Sequence, residues 1–230
     1  MKLSSTRCAW LFSLMAFSAF GSNFMDLADQ RTEPLLIRIL NHPFVQTLAN
    51  GTLKVENYRY YKQQDRLYST RYADVLSALS IRTHNVTVKK FLTKAAIDSL
   101  EYGATGSEHD SQQCPSCQAY SDFELSSAFF SFAVGLSAMT PCYTVYERVA
   151  DWMLQHPVSD NPYQSWMDAW SSSDFKNSVQ EIRAIMNQEA LKVDLSVWDR
   201  MLEAYALAVR YEWQFFNSAW NLAKWEPTNE

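Results

Sequence analysis

Three residues in this chain have the types and settings for covalent or proton-transfer chemistry: Cys142, Glu212 and Asp65. Cys142 directly follows Pro141. Proline is tolerated in the first turn of a helix, so this cysteine is predicted to sit at a helix N-terminus. The partial positive charge there lowers a thiol's pKa and makes a better nucleophile. Tyr146 lies four residues on, over the same helical face. The alternative is an inert buried cysteine. Asp65 and Tyr68 form an i, i+3 pair, and Tyr61, Asp65, Tyr68 and Tyr72 share one stripe at spacings of four, three and four. Glu212 stands among rings in Tyr211-Glu212-Trp213-Gln214-Phe215-Phe216. A buried carboxylate needs a partner or a raised pKa, and a raised pKa suits proton transfer. Taken singly, each acid reads equally as a surface or salt-bridged group.

Other motifs point away from metals and cofactors. Cys114-Pro115-Ser116-Cys117 has metal-ligand spacing, and His109 is nearby. A zinc site would need a second ligand pair, which the chain does not supply. The pair is expected in a polar loop running from Gly103, where it could oxidise in an exporting compartment. The four histidines are His42, His84, His109 and His156, two of them directly before prolines. That pattern does not suit a haem ligand or a di-iron set. No glycine-rich phosphate loop is present. Net charge is -5 with no basic run, which argues against a nucleic-acid partner.

Helices must position these residues. In 230 residues there are only 5 glycines and 7 prolines, too few for the turns of an all-β fold, while 47% of residues are hydrophobic, enough for one core. Apolar periodicity predicts helices over 26–40, ended by His42-Pro43, then 55–82, 86–102, 119–140, 142–155, 163–170, 175–191 and 195–223, the last capped by Asp194. The fold class is therefore all-α, a single multi-helix bundle. Residues 1–21 read differently. Lys2 and Arg7 precede an uncharged apolar run, Ala9 to Phe20, and the small residues Ala19 and Gly21 precede Ser22. This order is that of an export signal, with the domain over 22–230 and a periplasmic or secreted location. The run is too short for a stable membrane span. The competing reading is a buried first helix in a cytoplasmic protein.

Four segments resemble the TenA/thiaminase II family, which has the haem-oxygenase-like helical fold. They are His42-Pro43-Phe44-Val45 through Gly51-Thr52-Leu53, Tyr60-Tyr61 through Gln64-Asp65-Arg66-Leu67-Tyr68, Pro141-Cys142-Tyr143-Thr144-Val145-Tyr146, and Glu212 to Trp220. Their order and spacing hold from about Phe24 to Lys224. The resemblance implies hydrolysis of thiamine or its aminopyrimidine breakdown products, with release of hydroxymethylpyrimidine for salvage, no cofactor, and a homotetramer. It implies that Cys142 adds to the pyrimidine, that Glu212 is the acid/base at a ring nitrogen, and that Asp65 binds the amino group. Tyr68, Tyr120 and Tyr146 then resemble the pocket tyrosines. Where the family commonly has Tyr-x-x-Trp-x-x-x-Tyr, this chain ends the pattern with Trp170, which keeps a stacking surface and lacks the phenol. A non-catalytic pyrimidine-binding protein and an oxidase of the same fold are the competing functions.

Overall fold

The computed structural model describes residues 23–105 and 112–226. The leader over 1–21, His109 and most of the polar segment after Gly103 lie outside the described residues. Among the described residues there are ten helices and no strand. None of these helices is long and apolar enough to cross a membrane.

Local caps set where the helices begin. Helix α1 (Phe24–Leu40) starts earlier than periodicity predicts because Asn23 and Asp26 form a capping box. His42-Pro43 starts a helix as well as following one. The His42 ring Nδ1 accepts the Phe44 backbone N–H at 3.1 Å, and Pro43 occupies the first position of α2 (Pro43–Ala49). Helix α3 (Val55–Ser80) is long and uninterrupted, and packs along α4 (Val86–Gly103).

The stretch expected as one helix over 119–140 is two: α5 (Pro115–Phe130) and α6 (Phe132–Met139). Ser131 alone is extended (φ -151°, ψ 138°), and its N–H still reaches the Ser127 carbonyl. The bend folds α6 back against α5. Helix α7 (Pro141–Leu154) follows, then α8 (Gln164–Trp170), α9 (Ser173–Ala190) and α10 (Leu195–Asn221), the last capped by the Asp194 side chain as expected.

Rings fill the space between these helices. Tyr72 and Tyr68 of α3, Tyr120 of α5 and Tyr211 of α10 stack in sequence at centroid separations of 5.4, 5.2 and 5.2 Å. Tyr61 is fully buried between Phe44, Phe215 and Phe216. Offset ring pairs add to area burial, so this ladder fixes α3, α5 and α10 to one another. A polar chain holds α7 from behind. Thr144 Oγ1 and the Tyr205 hydroxyl are 2.8 Å apart, Tyr205 donates to Asp29, and Arg183 pairs with the other Asp29 oxygen at 2.6 Å.

The fold back of α6 depends on Gly135. A Cβ there would come within 2.6 Å of the Ala128 Cα and 2.9 Å of Leu79 Cδ2. Gly135→Ala is therefore expected to lower stability by about 1–3 kcal/mol. Thermal unfolding would register this as a loss of about 2–4 °C per kcal/mol. An unchanged Tm would mean that α5 and α6 are not in this close contact.

Candidate active site

A cavity of about 970 Å³ opens between α3, α4, α7 and α9. Asp65, Tyr68, Cys142, Tyr146 and Trp170 all line it. Five of the seven residues singled out from sequence thus share one space. Tyr120 and Glu212 do not line the cavity. They are buried behind it, where Tyr120 stacks on Tyr68 and donates to Glu212 Oε1 at 2.9 Å.

Cys142 is the second residue of α7, one position inside the helix start that Pro141 provides. It is partly buried and unpaired. Its thiol is nevertheless pushed well above the usual range, contrary to the lowering expected at a helix N-terminus. Burial is the largest cause, followed by the charges of Glu212 and Glu124, while the Tyr68 phenol pulls in the opposite direction. Loss of water and two nearby acids outweigh the partial charge of one helix end.

Asp65 is buried on the third helix and faces the cavity. Burial raises its pKa. Lys62, at 3.6 Å, and the Tyr102 hydroxyl, which donates to Oδ2 at 2.5 Å, act to lower it. Lys62 also reaches the Tyr102 hydroxyl and lies over its ring. Neither Lys62 nor Tyr102 was singled out from sequence. Lys62 was accessible as an i, i+3 partner of Asp65, whereas Tyr102 comes from another helix.

Glu212 is 2% exposed, and burial raises its pKa to about 8 against the lowering effect of Tyr120. The raised value expected of an acid among rings is therefore present. A second acid lies beside it. Glu124 of α5 is wholly buried, and its Oε1 accepts from the Tyr68 hydroxyl at 2.8 Å. Its pKa is raised well above the carboxylate range by burial and by Glu212. Sequence reasoning missed it, although Tyr120 and Glu124 form an i, i+4 pair on one helical face.

Trp170 packs against Tyr146 at 4.7 Å with the ring planes tilted by 52°, and edge-on to Phe175, giving the cavity an aromatic wall. The phenol missing at position 170 has no replacement at that point. The hydroxyl of Tyr61, held by Trp166 Nε1 at 3.0 Å, lies 3.4 Å from that of Tyr146.

Cys114 and Cys117 are not in a polar loop. Cys114 is the N-cap residue of α5 and Cys117 lies in its first turn, both buried and both free. The Gln64 side chain accepts the Cys114 backbone N–H at 2.8 Å, which buries the pair against α3 beside Asp65. Among the described residues no three His, Cys, Asp or Glu side chains are grouped to hold a metal ion.

A family profile described as TENA/THI-4/PQQC matches residues 29–222. An aminopyrimidine aminohydrolase of Bacillus subtilis is 27% identical over 81% of this chain and 85% of its own length. An uncharacterised protein of Haemophilus influenzae is also 27% identical, over 84% of this chain and 97% of its own. A TenA homologue from Pyrococcus furiosus, of solved structure, superposes with a TM-score of 0.78 at 21% identity, covering 85% of this chain and 99% of that one. At that identity the likeness bears on the fold, the all-α bundle expected from sequence.

The raised pKa of Glu212 has a consequence for stability. The folded chain keeps a proton that the unfolded chain, with an ordinary value of 4.5, releases. Stability from this group is full below about pH 4.5 and declines as pH rises to about 8. Glu212→Gln removes the decline. Thermal unfolding from pH 5 to 9 should show the variant overtaking the wild type by a few kcal/mol. Parallel curves would mean that Glu212 is not neutral in the fold.

Proposed function

Because the chain belongs to the TENA/THI-4/PQQC family, we infer that it is a hydrolase of the thiaminase II type, acting on thiamine or its aminopyrimidine breakdown products and releasing hydroxymethylpyrimidine. The observation that carries this reading is the opening of Cys142 into an aromatic cavity that also holds the Asp65 carboxylate.

An aminopyrimidine is flat, has polar edges and is a poor electrophile. The rings of Tyr146 and Trp170 offer it a stacking surface. Asp65, whose anionic form Lys62 and Tyr102 favour against the upward pull of burial, grips the exocyclic amino group. Cys142 forms a bond to a ring carbon while Glu212 gives a proton to the ring nitrogen that receives the electron pair. The amino group's lone pair then pushes through the ring to expel the thiazole, or the side-chain amine in its protonated form as ammonia, from the methylene, and Asp65 stabilises the positive charge this creates. Water adds at the methylene and gives up a proton to solvent, and departure of the sulfur, with the ring-nitrogen proton returning by way of Glu212 to the thiol, restores the aromatic ring. Because Glu212 lies behind the cavity, the reacting ring must seat directly on the floor formed by Cys142 and Tyr68.

The thiol's raised pKa fits this order of events. A thiol that stays protonated until the ring is seated is protected from stray electrophiles, and substrate entry triggers its ionisation. The test is steady-state hydrolysis of an aminomethylpyrimidine and of thiamine, followed by ammonia or thiazole release. Cys142→Ser should keep the fold and lower kcat by about 10³-fold or more. Asp65→Asn should act mainly on KM, raising it about tenfold, which corresponds to about 1.4 kcal/mol. Undiminished turnover by Cys142→Ser would remove the covalent mechanism.

A further inference from the structure

Glu124 has no part in the steps above, yet it is 0% exposed, less than either Glu212 or Asp65. Its Oε1 accepts from Tyr68, and its Oε2 is the one buried side-chain nitrogen or oxygen among the described residues without a hydrogen-bond partner. The groups that act on it or that it acts on are Tyr68 and Tyr72 of α3, Cys117 and Tyr120 of α5, Cys142 of α7 and Glu212 of α10. None is a cation. An ionised carboxylate with a bare oxygen in that setting is strongly disfavoured, so the resting group is a neutral acid with its proton on Oε2.

A neutral carboxylic acid can take a proton on one oxygen and release one from the other without ever becoming charged. The donors on either side of Glu124 point in one direction. Tyr68 donates to Glu124 Oε1 at 2.8 Å, and Tyr120 donates to Glu212 Oε1 at 2.9 Å. Resting on the aminopyrimidine reading for the reaction it serves, we propose that Glu124 is a proton relay that carries the Cys142 thiol proton back to Glu212. The relay leaves each carboxyl as it began. As the sulfur–carbon bond forms, the ring C=N electron pair takes the proton of Glu212, and the S–H bond breaks. The thiol proton passes to the Tyr68 oxygen, and that of Tyr68 passes to Glu124 Oε1. The Oε2 proton of Glu124 then passes to the Tyr120 oxygen, and that of Tyr120 to Glu212. The unpartnered Oε2 is the link that closes only during transfer. Glu212 is reloaded in the same step that discharges it, without water entering an aromatic site.

The test uses the full chain and two readouts. In the first, iodoacetamide alkylation of Cys142 is followed by peptide mass spectrometry at pH 8.5, where Glu212 is ionised and can receive the proton. Glu124→Gln keeps the shape and the acceptor at Oε1 but has no acid proton to release. The alkylation rate should fall about tenfold in Glu124→Gln, the opposite of the rise expected if this acid acted on the thiol only through its charge. In the second, kcat for aminopyrimidine hydrolysis should fall about 100-fold with KM within twofold. Its pH profile should climb above pH 8 as hydroxide replaces the relay, where the wild type is level. Unchanged or faster alkylation in a cooperatively folded Glu124→Gln would overturn the relay. If Glu124→Gln fails to fold, Tyr68→Phe breaks the first link and carries the same expectation. A wild type that alkylates as expected but hydrolyses no aminopyrimidine would overturn the functional reading and leave the relay intact.

Discussion

Two carboxyls, Glu124 and Glu212, are withdrawn from water beside the Cys142 thiol, and no lysine or arginine is among the groups that shift any of the three; Lys62 and Arg66 act on Asp65, farther along the cavity. Burying an acid without a cation is tolerated when the acid is neutral and hydrogen-bonded. Tyr68 and Tyr120 supply those hydrogen bonds, one to each acid. The same two rings stack on each other and continue to Tyr72 and Tyr211. Packing of three helices and proton affinity of the site are therefore one interaction viewed from two sides. A change that loosens the ladder must also alter the acids.

The cavity divides by charge. At its Asp65 wall, burial raises the carboxyl's pKa while Lys62 and Tyr102 oppose that shift and favour the anionic form, which suits an amino edge. At the Cys142 floor burial raises the pKa of both acids and favours their neutral form, which suits giving and receiving protons. One set of residue types thus does two jobs because only one of the acids has a cation beside it. Helix α7 holds Cys142 in a fixed position, since Thr144 is tied through Tyr205 and Asp29 to Arg183 of α9.

How far sequence alone reaches depends on whether a residue's partners are near it in the chain. Cys142 announces itself through Pro141, and Glu212 through its flanking rings. Asp65 and Tyr68 share a stripe visible in a single helix. Glu124 has only Tyr120 within its own helix, and its defining partners Tyr68 and Glu212 arrive by tertiary packing. The lowering expected of the Cys142 thiol fails for the same reason: the helix terminus is local, whereas the burial that outweighs it, and the acids of α5 and α10 that add to it, come from tertiary packing. Backbone departures follow suit. The bend at Ser131 carries no glycine or proline signal and is set by the fit of Gly135 against Ala128. The burial of Cys114 and Cys117 depends on Gln64, fifty residues earlier for Cys114.

The central claim is that Glu212 and Glu124 are neutral acids at neutral pH. Infrared difference spectroscopy of the protonated-carboxyl C=O stretch reads this directly, comparing the wild type with Glu212→Gln and Glu124→Gln. The account predicts a protonated-carboxyl band at pH 7 for each acid, lost in the matching variant, with the Glu212 band disappearing as pH passes about 8. Absence of both bands at pH 7 would show two ionised carboxylates behind Cys142 and would contradict it.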